Sequence, residues 1–182
     1  MSPVLVNLDC GVDIKVGWIN VDKYALDGVD VVHDITVLPL PFQDDIVDVI
    51  ELNSVLEHIP IQNQIGLVND CYRVLKKDGV LVIRVPHFTG FHAFNDIEHI
   101  KPYTSHSFDS FVAGRQPHSM ADYQHHNKFR GVQTKIVFGK GIQIWNYLVQ
   151  WLVNLNDFMH DVYEQSFLST FPAEGVHIWL KK

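Results

Sequence analysis

Apolar and polar positions along the chain follow two periods. Short runs dense in Val, Ile and Leu recur at VLVNL (Val4–Leu8), WINV (Trp18–Val21), VDVVHDI (Val29–Ile35), IVDVIEL (Ile46–Leu52) and VLVIRV (Val80–Val85). That density predicts strands buried on both faces, as in a parallel sheet. Between the fourth and fifth runs, Ile61, Ile65, Val68, Tyr72 and Leu75 return every three or four residues. This spacing predicts an amphipathic helix, with Gly79 as its stop. Strand, helix, strand in this order is a βαβ unit. TKIVF (Thr134–Phe138) reads as a sixth strand, Ile142 to Gln165 as one long helix, and GVHIWLKK as a terminal strand. In the long helix, Trp145, Leu148, Leu152, Leu155 and Met159 form one apolar stripe, with Tyr147, Trp151 and Phe158 beside it. Core packing is the expected role of that stripe; a dimer contact or a hydrophobic acceptor pocket are the alternatives.

One spacing is physically awkward. Only Asp9 to Gly17 separates the first two runs, whereas a parallel crossover normally takes about a dozen residues or more. Either the crossover is a single turn without a helix, or one run is not a strand. After Pro86 the periodicity dissolves: residues 87–130 are rich in His, Phe, Asp and Ser. An aperiodic stretch of that length is expected to be functional or partly mobile. The chain is therefore read as a single domain over 1–182 with a lid insertion at 87–130.

Composition narrows the partners. A length of 182 residues and 47% apolar content fit one globular domain with a sizeable core. A formal net charge of -7, with Lys and Arg scattered, argues against nucleic acid. Two cysteines, Cys10 and Cys71, without a C-x-x-C pair, point to a reducing compartment. The chain shows neither a signal-peptide pattern nor an apolar run of transmembrane length, so the expected setting is the cytoplasm, off the membrane.

VNLDCG (Val6–Gly11) and GWINVD (Gly17–Asp22) are followed by VDVVHDI, LPLPF (Leu38–Phe42), VDVIELNSVLEHI (Val47–Ile59), YRVLKKDG (Tyr72–Gly79) and VIRVPHF (Val82–Phe88). In order and spacing these motifs resemble the class I S-adenosylmethionine-dependent methyltransferases, in particular a compact bacterial and archaeal group. That group opens with Leu-Asn-Leu-Gly-Cys-Gly and Gly-Trp-x-Asn-Val-Asp, and carries Leu-Glu-His-Ile. The resemblance thins at DIEHI (Asp96–Ile100) and returns at the C-terminal strand. It implies an α/β, Rossmann-like fold: a seven-stranded, mainly parallel sheet with an antiparallel last strand. It also implies S-adenosyl-L-methionine lying across the carboxyl ends of the first strands. The expected reaction is methyl transfer to a small-molecule acceptor, a sugar or other glycan precursor, by a monomer or homodimer. Two rivals stand beside it: a catalytically silent cofactor-binding protein, and a metal-dependent hydrolase or oxygenase built on the His-rich insertion.

The resemblance also assigns residues. Gly11 lets the backbone approach the methionine part of the cofactor, or is a turn glycine. Leu8, Asp9 and Cys10 belong to the same turn. Asp22 accepts the ribose hydroxyls, with Lys23 next to it; no G-x-G-x-x-G occurs, which disfavours a dinucleotide site. Asp34 and Ile35 meet the adenine, although Asp34 also reads as a helix cap. Asn53 and Ser54 lie beside the methyl group or simply end a strand. Glu57 and His58 face the cofactor or brace its pocket, with a cap or salt bridge as the alternative. His87 is the first candidate base, with His58 and Asn53 as further catalytic candidates, or else His87 only shapes the pocket. His87, His92, Asp96 and His99 would suit Zn or Fe. Their spacing matches no closed zinc motif and eleven histidines make chance clusters common, so the reading adopted places no metal.

Asp9 is the departure, standing where the group has its first turn glycine. Its carboxylate either crowds the cofactor and repels the methionine carboxylate, or accepts from the methionine ammonium in place of an acid missing at Asn7. Asp tolerates left-handed backbone better than most residues, so the turn is expected to survive.

Overall fold

The computed structural model describes residues 2–115, 128–139 and 144–182. Seven strands form one sheet: β1 (Leu5–Leu8), β2 (Ile19–Asp22), β3 (Val31–Val32), β4 (Val47–Asn53), β5 (Leu75–Pro86), β6 (Gly131–Val137) and β7 (Gly175–Lys181). Their order across the sheet is β3-β2-β1-β4-β5-β7-β6. The first five strands pair in parallel, and β7 runs antiparallel to both β5 and β6. The α/β, mainly parallel seven-stranded architecture with an antiparallel last strand is therefore present. The awkward spacing resolves in favour of two true strands, β1 and β2, joined by residues 9–18 without a helix.

That short crossover changes the sheet's surroundings. Expectation had the strands buried on both faces; β1, β2 and the middle of β4 are so buried, but the second face is polar, and over β5, β6 and β7 it is only partly buried. One face, built from Val6, Leu8, Val21, Ile50, Leu52, Leu81, Ile83, Val176, Ile178 and Leu180, is buried core. The other face carries Asn7, Asn20, Glu51, Arg84, Trp179, His177 and Lys135, neighbours by strand register. Among the described residues no helix connects β1 to β2, β2 to β3 or β3 to β4. The helices that would bury a second face are not there, and polar side chains take their place. Over β1 and β4 the 9–18 loop supplies the cover: Asn7 Nδ2 donates to the Asp13 carbonyl at 2.7 Å, and Lys15 and Arg84 both pair with buried Glu51.

The helix α1 (Ile61–Val74) packs on the core face through Gln64, Leu67, Val68, Cys71 and Val74. The period was right but the buried stripe is rotated: Ile61 is exposed, and Ile65 and Tyr72 are only partly buried. The helix also ends at Val74, with Leu75 already extended, so Gly79 lies within β5 and is not the stop. A side chain there would approach the Lys76 and Asp48 carbonyls within about 3 Å, which explains the glycine.

The single long helix is in fact two, α2 (Trp145–Val153) and α3 (Asp157–Gln165). The break has a side-chain cause. Asn154 turns inward to accept from the Ile136 N–H and donate to the Ile136 carbonyl, both at 2.7 Å, and Asn156 caps α3 by accepting from the Met159 N–H. Residues 142 and 143 of the expected helix lie outside the described residues. The apolar stripe is not core: Trp145, Leu148, Trp151, Leu152, Leu155 and Phe158 are exposed. The inward face of α2 is polar. Asn146 donates to the Gly139 carbonyl, and the Gln150 carbonyl oxygen of the side chain accepts from the Phe138 N–H. With Asn154, these amides satisfy backbone groups of Ile136, Phe138 and Gly139 at the C-terminal end of the β6 edge, which no other strand covers among the described residues.

Candidate active site

The turn after β1 needs two left-handed residues, Asp9 at φ 54° and Gly11 at φ 50°. Asp22, at the end of β2 and almost fully buried, holds this turn. One carboxylate oxygen accepts from the Gly11 N–H and the other from the Tyr24 N–H, both at 2.8 Å. A Cβ built on Gly11 would meet no protein atom within 4 Å. The backbone there faces open space, as a cofactor cradle requires. Cys10 is buried beside it, and Leu8 belongs to the core.

Asp9, Asp22, Lys23, Asp34 and His58 are brought close enough to act electrostatically on one another. Burial pushes the Asp9 carboxyl above its usual range, and the charges of Asp22 and Asp34 add to that, against Lys23 and His58. Asp34 is exposed and accepts from the N–H and hydroxyl of Thr36, which holds it below the usual carboxylate range; Ile35 beside it is buried. A site with three carboxylates and one lysine favours a ligand carrying positive charge. S-adenosylmethionine has a sulfonium and an ammonium against one carboxylate, so the donor set fits it.

Across the carboxyl ends of β4 and β5 lies a cavity of about 550 Å³, lined by Ser54, Glu57, Pro86, His92, Asp96 and His99 among others. That is within the usual size of small-molecule sites. Ser54 leaves β4 with φ 56° and donates its N–H to the Arg84 carbonyl, so the strand end is bent toward this space. The turn Leu56–His58 is braced from below by Gln64, whose side chain donates to the Leu56 and Ile59 carbonyls and accepts from Tyr103 Oη. Asn53 points elsewhere, its amide 3.4 Å from Asp13.

His87 does not share this cavity's lining. It is fully buried, with Nδ1 on the Thr89 hydroxyl at 2.8 Å and Nε2 on Glu164 at 2.9 Å. Both ring nitrogens are thus engaged, and the set His87, His92, Asp96 and His99 is not assembled as a cluster. Glu57 lines the cavity and takes neither the cap nor the salt-bridge role. Among the described residues it makes no salt bridge and caps no helix, and its two buried oxygens have no hydrogen-bond partner. Burial, with the Asp96 carboxylate adding to it, pushes Glu57 up to about 7.

The described part of 87–130 is two things at once. Tyr103, Phe108, Phe111, Val112 and Phe129 are buried in the main core, whereas Phe91, His92, Phe94 and Ile97 are exposed around the cavity. Residues 116–127 of the expected lid lie outside the described residues. No helix of the described residues is long and apolar enough to cross a membrane.

Residues 8–83 match the family model of a methyltransferase domain. No curated protein is matched by the sequence. Among solved structures, a SAM-dependent methyltransferase from Archaeoglobus fulgidus is similar at TM-score 0.63 and 16% identity, over 99% of this chain and 86% of that one. A SAM-dependent methyltransferase from Thermotoga maritima, described as a possible histamine N-methyltransferase, is similar at TM-score 0.57 and 13% identity, over 100% and 83%. An O-methyltransferase from a polyketide-synthase multienzyme of Brevibacillus brevis, in complex with S-adenosyl-L-homocysteine, is similar at TM-score 0.52 and 14% identity, over 98% and 66%. A segment of the chain thus carries the sequence pattern of a methyltransferase domain, and over its whole length the chain shares the Rossmann-like α/β fold of these structures.

Proposed function

We propose that the chain transfers the methyl group of S-adenosylmethionine to a small-molecule acceptor, a sugar or other glycan precursor, bound in the cavity over Ser54 and Glu57. The observation that carries this reading is the acidic turn at the carboxyl ends of β1 and β2: Asp9 and Gly11 take left-handed backbone, buried Asp22 holds the turn, and the space over Gly11 is open. The sulfonium carbon is already electrophilic, so the protein's task is to align acceptor, carbon and sulfur. An attacking oxygen forms its bond to the methyl carbon as the carbon–sulfur bond breaks, and sulfur keeps the electron pair. The acceptor's proton needs a destination, and Glu57 and His58 stand nearer the cavity than His87 does. The exposed stretch 91–100 is the part of the insertion that covers the acceptor.

Calorimetric titration with S-adenosylhomocysteine tests the cofactor half of this reading. One-to-one saturable binding is expected, and its absence would sink the proposal. Asp22→Ala should weaken binding by roughly 1.5–3 kcal/mol, the range for hydrogen bonds to a charged group. Asp9 carries the finer claim that its carboxylate receives the methionine ammonium. Asp9→Asn and Asp9→Gly should each weaken binding by about 1 kcal/mol or more. Tighter binding in Asp9→Gly would instead make Asp9 an obstruction. The cationic ligand favours ionised Asp9, so affinity should rise with pH through the raised Asp9 range and level off above it.

A further inference from the structure

Glu57 is 1% exposed and has two oxygens without a partner, which is costly for a carboxylate inside a protein. Imidazoles stand beside it. One ligand-capable atom from each of Glu57, His58 and His99 lies within 4.8 Å of the others. The two imidazoles meet edge to face with centroids 4.8 Å apart. His99 Nδ1 is buried and also lacks a partner, while its Nε2 lies 3.9 Å from Asp96. A histidine with one nitrogen directed to a carboxylate and the other free is the usual arrangement of a metal-bound imidazole. The backbone holds the three together, since the Ile100 N–H donates to the Glu57 carbonyl at 2.8 Å. Bonds near 2.1 Å put ligand atoms roughly 3–3.5 Å apart, so the cluster, at up to 4.8 Å, needs a closure of about 1.5 Å.

We propose that Glu57, His58 and His99 bind a divalent transition-metal cation of the Zn²⁺ or Mn²⁺ class in the floor of the 550 Å³ cavity. One carboxylate and two imidazoles suit that class better than Mg²⁺ or Ca²⁺, which prefer oxygen alone. Three protein ligands leave at least one coordination position open. Binding of the cation stands by itself. Its role rests on the methyl-transfer reading: the open position takes the acceptor's hydroxyl oxygen and lowers its pKa. With Glu57 and His58 engaged as ligands they do not receive the hydroxyl proton, which leaves to water at the cavity mouth. The freed oxygen attacks the methyl carbon, and the electron pair of the broken bond stays on sulfur.

The test is calorimetry on the full chain after chelator treatment, titrated separately with Zn²⁺ and Mn²⁺. Wild type should take one equivalent of one or both. Glu57→Gln, nearly isosteric, and His99→Asn, on the surface loop, should each weaken it by at least about tenfold. His92→Asn, which removes a cavity imidazole outside the three, should leave it within about twofold. Absence of binding in wild type overturns the site, and so does equal affinity in wild type and both ligand variants, which would mark adventitious binding to surface histidines. Parallel titration with S-adenosylhomocysteine keeps the two ideas apart. Failure there with metal binding intact would remove the methyl-transfer role and leave the metal site standing.

Discussion

The two faces of this sheet are made by the same strands yet obey different rules. Under α1 the face is Val, Ile and Leu, fully enclosed, and stabilised by removal of apolar area from water. On the other side Asn7, Asn20 and Glu51 are just as buried, but they are enclosed by a loop of ten residues and by one another. There the backbone crossover is too short to supply a helix, so no apolar layer exists to pack against. Hydrogen bonds and ion pairs set the geometry instead. The difference teaches that a parallel sheet needs its second face closed, not necessarily made hydrophobic. It also places the polar face directly beneath the turn after β1, where Asp13 and Lys15 tie that turn to β1 and β4.

The comparison can be broken most sharply at Leu52, fully buried on the core face. Leu52→Ala should lower unfolding stability by about 2–5 kcal/mol in a urea titration. Across the sheet, Glu51→Gln leaves Lys15 and Arg84 without their carboxylate, but both keep solvent access. A smaller loss, about 1.5–3 kcal/mol, is expected. If Glu51→Gln were costlier than Leu52→Ala, the polar face would be the true core.

A pH experiment addresses the same face more gently. Burial, with Arg84 and Lys135 adding to it, pushes His177 down to about 4. The unfolded chain takes up that proton near pH 6.5 and the folded one only near 4. Stability from this group is complete above about pH 6.5 and is lost as pH falls toward 4. In His177→Gln the stability–pH curve should be flatter across that window. The smallest effect is expected at Trp151, which is 61% exposed on α2. Trp151→Ser should change stability by no more than about 0.5 kcal/mol; a loss of several times that would mean the apolar side of α2 is packed after all.

Much of this was legible in the order of residues. Strand positions followed from Val and Ile density, and the turn from Asp9, Gly11 and Asp22. What stayed hidden depended on which way a side chain points. The period of α1 was plain, but Gln64 faces inward because two carbonyls of the Leu56–His58 turn need donors. The stripe of α2 read as core because apolar residues usually go inside, whereas the bare edge of β6 called for amides. Gly79 resembled a helix stop because nothing local reveals the Asp48 carbonyl it must pass. In the site, His87 and His99 both stood out as histidines of the insertion, and only tertiary contacts separate them. Glu164, far along the chain, claims His87, while Glu57 is left with His58 and His99. A signal for Glu57 was available in its place beside His58, but its lack of a partner was not.

The inward amides of α2 have a consequence for how this molecule meets copies of itself. A bare outer strand invites another chain to add by backbone pairing, the first step toward strand exchange and fibrils. On β6, the N–H and carbonyl of Ile136 and the N–H of Phe138 are already taken by Asn154 and Gln150. Two side chains thus act as a counterfeit strand over the C-terminal end of this edge, where an incoming chain finds those groups already taken. The hazard is moved rather than removed, from a directional row of backbone groups to a greasy helix surface whose stickiness has no register.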